Sequence, residues 1–243
     1  MNDDELEQLL RNLKLRRLLE IVERELERAE QEQPGYGAWL KRLLREEWHA
    51  QDARFLENRI HRAQVPERWT LETFPWDRQP GVHRGVIEQL ATLDFVSRAA
   101  NLVFIGPTGT GKTGLAIGIL LKALERGRRG LFVTAQDLFD ELYRSLADRS
   151  SRTLLTRLSN VDLLVIDEMS YLTVRPEQSN IFFKLMDERY GRKSTILTTN
   201  LEYEEWYGFL GQKDMVAALL DRLRHRCTTV RIEGPSLRDP VEA

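Results

Sequence analysis

The chain has 243 residues, 42% of them hydrophobic and 30% charged, with a formal net charge of −2; this suits a soluble, helix-rich protein with one large domain or a core plus an appendage. No run approaches the roughly 20 apolar residues that span a bilayer, the start Asn2-Asp3-Asp4-Glu5 is unlike a signal peptide, and a single cysteine, Cys227, excludes an internal disulfide and suits a reducing cytoplasm. The near-neutral charge offers no global attraction for nucleic acid, so any DNA contact has to come from local basic clusters.

From residue 5 to about 30, Leu6, Leu9, Leu10, Leu13, Leu18, Val22 and Leu26 recur at three- and four-residue steps between charged residues, which predicts an amphipathic helix. Gln33-Pro34-Gly35 breaks it, and a second periodic run from Gly37 to about Ala63 carries Trp39, Leu40, Leu43, Leu44, Trp48, Phe55, Leu56 and Ile60. Residues 1–65 therefore read as a helical module suited to oligomerisation or to contact with DNA or a partner. Its basic clusters are Arg11, Lys14, Arg16 and Arg17, and then Arg54, Arg59 and Arg62. Residues 66–85, with Trp69, Phe74, Pro75, Trp76, Pro80 and Gly81, show neither helical nor strand period and read as a linker. Its aromatics are suited to packing on the next domain or to stacking on a base. Residues 86–243 form the remaining domain, opening with a helix from Val86 to about Arg98.

Asn101-Leu102-Val103-Phe104-Ile105 reads as a buried strand and Leu115 to Leu124 as a helix. Between them Gly106-Pro107-Thr108-Gly109-Thr110-Gly111-Lys112-Thr113 satisfies every position of the phosphate-binding loop G-x-x-x-x-G-K-[ST]. The glycines let backbone N–H groups turn inward at a helix N-terminus, where partial positive charge favours an anion. In this pattern Lys112 supplies a point charge to the β- and γ-phosphates of a nucleotide, and the Thr113 hydroxyl ligates the accompanying magnesium ion.

Further strands are expected at Gly130–Thr134, Leu163–Ile166, Thr195–Thr198 and Thr228–Ile232. Helices are expected over Ala135 to Ala147, then, after a charged connection Asp148-Arg149-Ser150-Ser151-Arg152, up to near Ser159, and over Glu177 to Tyr190 and Val216 to His225. Alternating strands and helices predict an α/β fold with a mostly parallel sheet, whose ligands sit beyond the carboxyl ends of its strands. The Leu163–Ile166 strand runs into Asp167-Glu168, some 55 residues after Lys112. Asp167 is the candidate magnesium ligand and Glu168 the residue that polarises the attacking water. Asn200, closing the next strand, is placed to hold that water or the γ-phosphate. Arg222 and Arg226 share one helical face, suited to reaching a neighbouring subunit's γ-phosphate or to completing a solvated helix end. Cys227 and the four histidines show no metal-ligand spacing.

A more particular set of residues lies around these motifs. It comprises Thr70 to Phe74, Leu164-Val165-Ile166-Asp167-Glu168-Met169-Ser170-Tyr171-Leu172, Glu188-Arg189-Tyr190, Thr198-Thr199-Asn200-Leu201, Trp206, Asp221-Arg222-Leu223 and Glu233-Gly234-Pro235-Ser236-Leu237-Arg238. With the phosphate loop, this combination closely resembles the IstB-like ATP-binding proteins, helper ATPases of two-gene bacterial insertion sequences, related within the AAA+ class to DnaC replicative helicase loaders. The likeness runs from the first helix nearly to the C-terminus. It implies an AAA+ core of five mostly parallel strands in the order 5-1-4-3-2, flanked by helices, with a small helical N-terminal domain. It also implies a homo-oligomer with ATP and magnesium between subunits, assembly on double-stranded DNA, ATP hydrolysis, and assistance to a partner transposase in a cytoplasmic setting. The alternative is a DnaC-type helicase loader acting on single strands. By position, Asn200 resembles sensor 1, Arg222 the arginine finger and Arg238 the sensor 2 arginine, so the nucleotide contacts implied are Gly106 to Gly114 and Arg238. Two departures are Thr108, where Gly-Pro-Pro-Gly is usual, and Gly114, where a larger side chain is usual; neither removes a phosphate ligand. With the sequence ending at Ala243, no separate helical lid is expected. Basic residues around the 144–157 segment, Arg144, Arg149, Arg152 and Arg157, join the N-terminal clusters as candidate DNA-phosphate contacts.

Overall fold

The computed structural model describes residues 3–170, 172–211 and 213–238, and divides into two compact units, Met1–Asn58 and Arg59–Ala243. The first is built from α1 (Asp3–Asn12), α2 (Arg16–Glu32) and most of α3 (Tyr36–Arg62). Leu10, Leu18, Ile21, Val22 and Leu43 form its buried core, with Leu6, Leu26 and Trp39 against it.

The single helix predicted over residues 5 to 30 is two helices. Lys14 adopts a left-handed conformation with φ of 58°. Lys14 N–H donates to Arg11 C=O (3.0 Å) and Leu15 N–H to Leu10 C=O (2.9 Å). This is the hydrogen-bond pattern that closes a helix C-terminus, usually around a glycine. With lysine there instead, the apolar spacing continues across the break and hides it.

Leu15, at the start of α2, has no capping side chain. Glu47 replaces the cap from another helix. It is buried, and its Oε2 accepts from Leu18 N–H at 2.9 Å, while Oε1 accepts from Gln51 and Arg54, each at 3.0 Å. Burial pushes the carboxyl pKa up, but these hydrogen bonds outweigh it and leave the pKa below the ordinary value. Because the folded-state pKa is depressed, Glu47 stabilises the fold above the ordinary carboxylate range, and that contribution is lost as pH falls through the folded-state pKa. Glu47→Ala is expected to destabilise the first unit by about 1–2 kcal/mol at neutral pH, with the difference from wild type shrinking in acid. Urea unfolding followed by helical circular dichroism at pH 7 and pH 4 checks both statements, and an undiminished difference at low pH would contradict the charge-based account.

In the second unit the linker is a series of turns with one 3-10 turn, Trp76–Arg78. The helix predicted from Val86 is interrupted: α4 (Arg84–Leu90) and α5 (Asp94–Ser97) are separated by buried Leu93 at φ of 67°. The sheet consists of β1 (Asn101–Ile105), β2 (Gly130–Thr134), β3 (Leu163–Asp167), β4 (Ser194–Thr199) and β5 (Cys227–Arg231). All four pairings are parallel, in the order β2-β3-β4-β1-β5, which is the expected order read from the other edge. Helices α6 (Lys112–Glu125), α7 (Ala135–Ala147), α8 (Ser151–Asn160), α9 (Pro176–Arg189) and α10 (Lys213–His225) supply the crossovers.

β1, β3 and β4 are buried at every position, as a sheet covered on both faces requires. Their register aligns the carboxyl ends: Ile105 lies beside Thr199, Ile166 beside Leu197, and Thr134 beside Asp167. β4, fourth in sequence, is thereby inserted between β1 and β3. A second 3-10 segment, Tyr203–Gly208, was not expected from periodicity; it seats fully buried Trp206 against Tyr203 and Phe209.

Arg189, from the Glu-Arg-Tyr motif, is 1% exposed. It donates to Thr195 Oγ1 (3.0 Å), Leu158 C=O (2.7 Å), Val161 C=O (3.1 Å) and Ser194 C=O. Burial lowers its pKa to about 9. Its bonds tie the end of α8 to the start of β4, which makes it a structural clamp. No helix among the described residues is long and apolar enough to cross a membrane.

Candidate functional site

The loop after β1 takes its shape from its glycines, for two different reasons. Gly109 and Gly111 have φ of 85° and 90°, the left-handed region that other residues rarely adopt. Gly106 is required by proximity: a Cβ there would lie 2.5 Å from Ile232 C=O. Gly106 N–H donates to Thr199 C=O at 3.1 Å, anchoring the loop to the end of β4. Buried Thr110 donates its hydroxyl to Pro107 C=O (2.8 Å).

Lys112, the first residue of α6, donates from Nζ to Gly106 C=O and Pro107 C=O, both at 2.7 Å. The ammonium therefore sits over the centre of the loop, where an anion cradled by the loop would meet it. Burial lowers the Lys112 pKa; Asp167 and Glu168 oppose that shift, and Arg238 adds to it. An anionic ligand at this position would oppose that shift and favour the charged form.

Thr113 donates its hydroxyl to the Asp167 carboxylate, 2.9 Å from Oδ1 and 3.0 Å from Oδ2. Thr198 on the intervening β4 also donates to Asp167 Oδ1, and its Oγ1 accepts from Glu168 N–H at 2.9 Å. Consecutive residues on a strand point to opposite faces. Here the strand ends at Asp167, and Glu168 turns into the left-handed region with φ of 58°. Asp167 is thus buried among hydroxyls, Glu168 is exposed to the cleft, and Met169 returns to the core. A left-handed non-glycine residue is costly and is held here by two hydrogen bonds, Glu168 N–H to Thr198 Oγ1 and Met169 N–H to Thr198 C=O (2.8 Å).

A cleft of about 490 Å³ runs over these groups. It brings together Thr108, Gly109, Gly111, Lys112, Thr113, Gly114, Asp167, Glu168, Asn200 and Arg238. Gly106 and Pro107 instead face a neighbouring cavity, which Thr108 and Asn200 also line, and Thr110 is buried beneath the loop. Arg222 does not line the cleft: it lies on α10 and pairs with Asp187 at 3.1 Å. Arg157 is paired through one nitrogen with both oxygens of Glu141 (2.7 Å each), so its charge is already compensated. Among the described residues, no cluster of three or more His, Cys, Asp or Glu could hold a metal ion by itself. Tyr171 lies outside the described residues.

Thr198 was not recognised as a site residue. A threonine in an apolar strand reads as an ordinary β-former, and only β4's insertion between β1 and β3 shows its hydroxyl to be the link between Asp167 and the Glu168 turn. Trp69 and Phe74 of the linker both line the cleft. Phe74 also packs on Trp76, with ring centroids 4.7 Å apart, and its ring edge lies 2.7 Å from where a Cβ on Gly111 would be.

The sequence model of the family described as IstB-like ATP binding protein matches residues 8–242. The ATP-binding protein of insertion sequence IS21 from Pseudomonas aeruginosa is 38% identical over 96% of this chain and 88% of its own length. The counterpart from insertion sequence IS5376 of Geobacillus stearothermophilus is 36% identical over 84% and 81%. Among solved structures, AMPPCP-bound DnaA from Aquifex aeolicus aligns with a TM-score of 0.58 at 22% identity, over 70% of this chain and 51% of that one. A DnaC helicase loader aligns with a TM-score of 0.53 at 23% identity, over 62% and 88%. At such identities these two structures establish the fold, an AAA+ core, and the sequence matches establish the family. Matched by the family model over nearly all its residues and by relatives at 36% and 38% identity, this chain belongs to the IstB-like ATP binding proteins.

Proposed function

We propose that this protein is a magnesium-dependent ATPase that assembles as a homo-oligomer on double-stranded DNA and assists a transposase. The observation that carries the catalytic part is the Thr113–Asp167 pair, at 2.9 and 3.0 Å, with Lys112 and Glu168 in the same cleft. Magnesium is held by few protein oxygens and completes its shell with phosphate oxygens and water, and a hydroxyl beside a carboxylate fits that donor set. When bound there, the ion would neutralise charge on the β- and γ-phosphates. In this reading the loop N–H groups and Lys112 hold the phosphates. Glu168 accepts a proton from the attacking water, and Asn200, at the end of β4, orients that water.

Arg238 enters the same cleft from the C-terminal segment and would meet the γ-phosphate within its own chain. Arg222, turned away from that cleft, would serve the nucleotide of a neighbouring subunit. The family and its insertion-sequence relatives support transposition as the setting. Arg144, Arg149 and Arg152 and the basic clusters of the helical module of residues 1–65 are the DNA-phosphate contacts of this reading. Arg157 is a weaker candidate because of Glu141, as are Arg11, Arg17 and Arg54, which pair with Glu7, with Glu20 and Glu46, and with Glu47.

Multiple-turnover phosphate release, measured alone, with duplex DNA and with single strands, tests the proposal. Magnesium-dependent turnover that rises severalfold with duplex, and less with single strands, is expected. Each phosphate neutralised by the protein steepens the salt dependence of DNA binding, so duplex affinity is expected to fall at least tenfold between 50 and 200 mM salt. Turnover indifferent to DNA would remove the DNA-dependent part, and preference for single strands would favour helicase loading.

A further inference from the structure

Outside the residues that face the cleft, one buried side chain joins three segments that meet behind the phosphate loop. Gln79 is 1% exposed, in the linker that precedes the core. Its Nε2 donates to Thr110 C=O in the phosphate loop (3.1 Å) and to Pro235 C=O in the C-terminal segment (3.0 Å), and its Oε1 accepts from Gly81 N–H (3.3 Å). Both amide protons are thus committed, one to the loop and one to the segment that carries Arg238.

The surrounding glycines make room for this arrangement. A Cβ on Gly234 would lie 1.8 Å from Gln79 Oε1, and a Cβ on Gly81 would lie 2.0 Å from Glu233 C=O. The segments are also joined by Leu237 N–H to Gly109 C=O (2.8 Å) and by the Arg78 guanidinium to Leu237 C=O (3.3 Å). The loop itself has independent supports, from Thr199 to Gly106 and from Thr110 and Lys112 to Pro107. The C-terminal segment reaches the cleft only after this crossing, since Arg238 follows Leu237 directly.

We infer that Gln79 is a positioning residue that holds the 233–238 segment on the phosphate loop and so sets Arg238 where a γ-phosphate lies, making the linker part of the discrimination between nucleoside tri- and diphosphate. The inference rests on the ATP site proposed above. An apolar residue of similar shape at position 79 would leave Thr110 C=O, Pro235 C=O and Gly81 N–H without their partner, and buried groups so deprived shift to find new ones. The loop, with its other supports, keeps its grip on a β-phosphate, while Arg238 loses its fixed place.

The test is titration of the full chain with AMPPCP and with ADP, both in magnesium buffer, for wild type, Gln79→Met, Arg238→Ala and the double variant. Gln79→Met is expected to lose about tenfold in AMPPCP affinity, as one or two hydrogen bonds warrant, and no more than about twofold in ADP affinity. Because Gln79 acts through Arg238, the double variant is expected to bind AMPPCP no more weakly than Arg238→Ala does. Equal losses for both nucleotides, no loss, or losses that multiply in the double variant would overturn the inference. Should Gln79→Met not fold, Gly234→Ala, which drives a methyl into the Gln79 amide, is expected to show the same selective loss and is judged by the same outcomes. A wild type that binds neither nucleotide removes the ATP site and this inference together. A wild type whose AMPPCP binding depends on Lys112, matched by Gln79→Met, removes the inference alone.

Discussion

Glu168→Gln is expected to bind ATP about as tightly as wild type and to turn it over about 100- to 1,000-fold more slowly, as removal of a positioned general base warrants. The substitution keeps the size of the side chain. The left-handed turn is held through backbone groups, Glu168 N–H to Thr198 Oγ1 and Met169 N–H to Thr198 C=O, so the amide variant retains the geometry and loses only the ability to take up a proton. Asp167 keeps its bonds to Thr113 and Thr198, leaving the proposed magnesium position intact. Nucleotide titration and single-turnover phosphate release separate the two quantities. A variant that hydrolyses ATP normally would take the proton-accepting role from Glu168. One that fails to bind ATP would show that Glu168 belongs to the binding surface instead.

Lys112→Ala is expected to weaken ATP binding by about 100-fold or more, since truncating one partner of a buried charge pair costs about 2–5 kcal/mol. Lys112 also bonds Gly106 C=O and Pro107 C=O at 2.7 Å, so the alanine variant removes a support of the loop as well as a charge facing the phosphates. Lys112→Arg separates these effects. It retains the charge, but a planar guanidinium does not replace a compact ammonium over two converging carbonyls. We expect it to recover only part of the affinity. Full recovery would mean that charge alone matters, and unchanged ATP affinity in Lys112→Ala would place the triphosphate elsewhere. The two variants divide the site: one loses the ligand, the other keeps it and stalls.

Legibility in the sequence followed the range of the interactions. The phosphate loop was plain because its requirements are local, at Gly109 and Gly111 through their φ angles and at Lys112 through its place at the start of α6. Strands β1 and β3 were plain because they are nearly continuous apolar runs, as buried parallel strands are. The break at Lys14 was hidden, because a helix closure that usually takes glycine was built on lysine. Leu93 concealed a second break in the same way, with a buried side chain in the left-handed region. The roles of Thr198 and Gln79 were out of reach for a different reason. Each acts through partners distant in the chain, Asp167 for Thr198 and Pro235 for Gln79, and neither residue type is unusual where it stands.

By itself the sequence determined that a phosphate-binding turn exists, that two acids end a buried strand, and that helices alternate with parallel strands, because each depends on neighbours within one turn or one strand. The family resemblance implied the strand order that puts β4 between β1 and β3, but only the tertiary structure showed that this brings Thr113 to Asp167 and Thr198 beneath both acids. The tertiary structure also decided that Glu168 swings into the cleft rather than to the opposite face, that Arg222 turns to Asp187, and that the linker and C-terminal segment meet behind the loop. Strand order and cross-chain hydrogen bonds arise from how the whole chain buries its apolar surface, and no short stretch of residues carries that information.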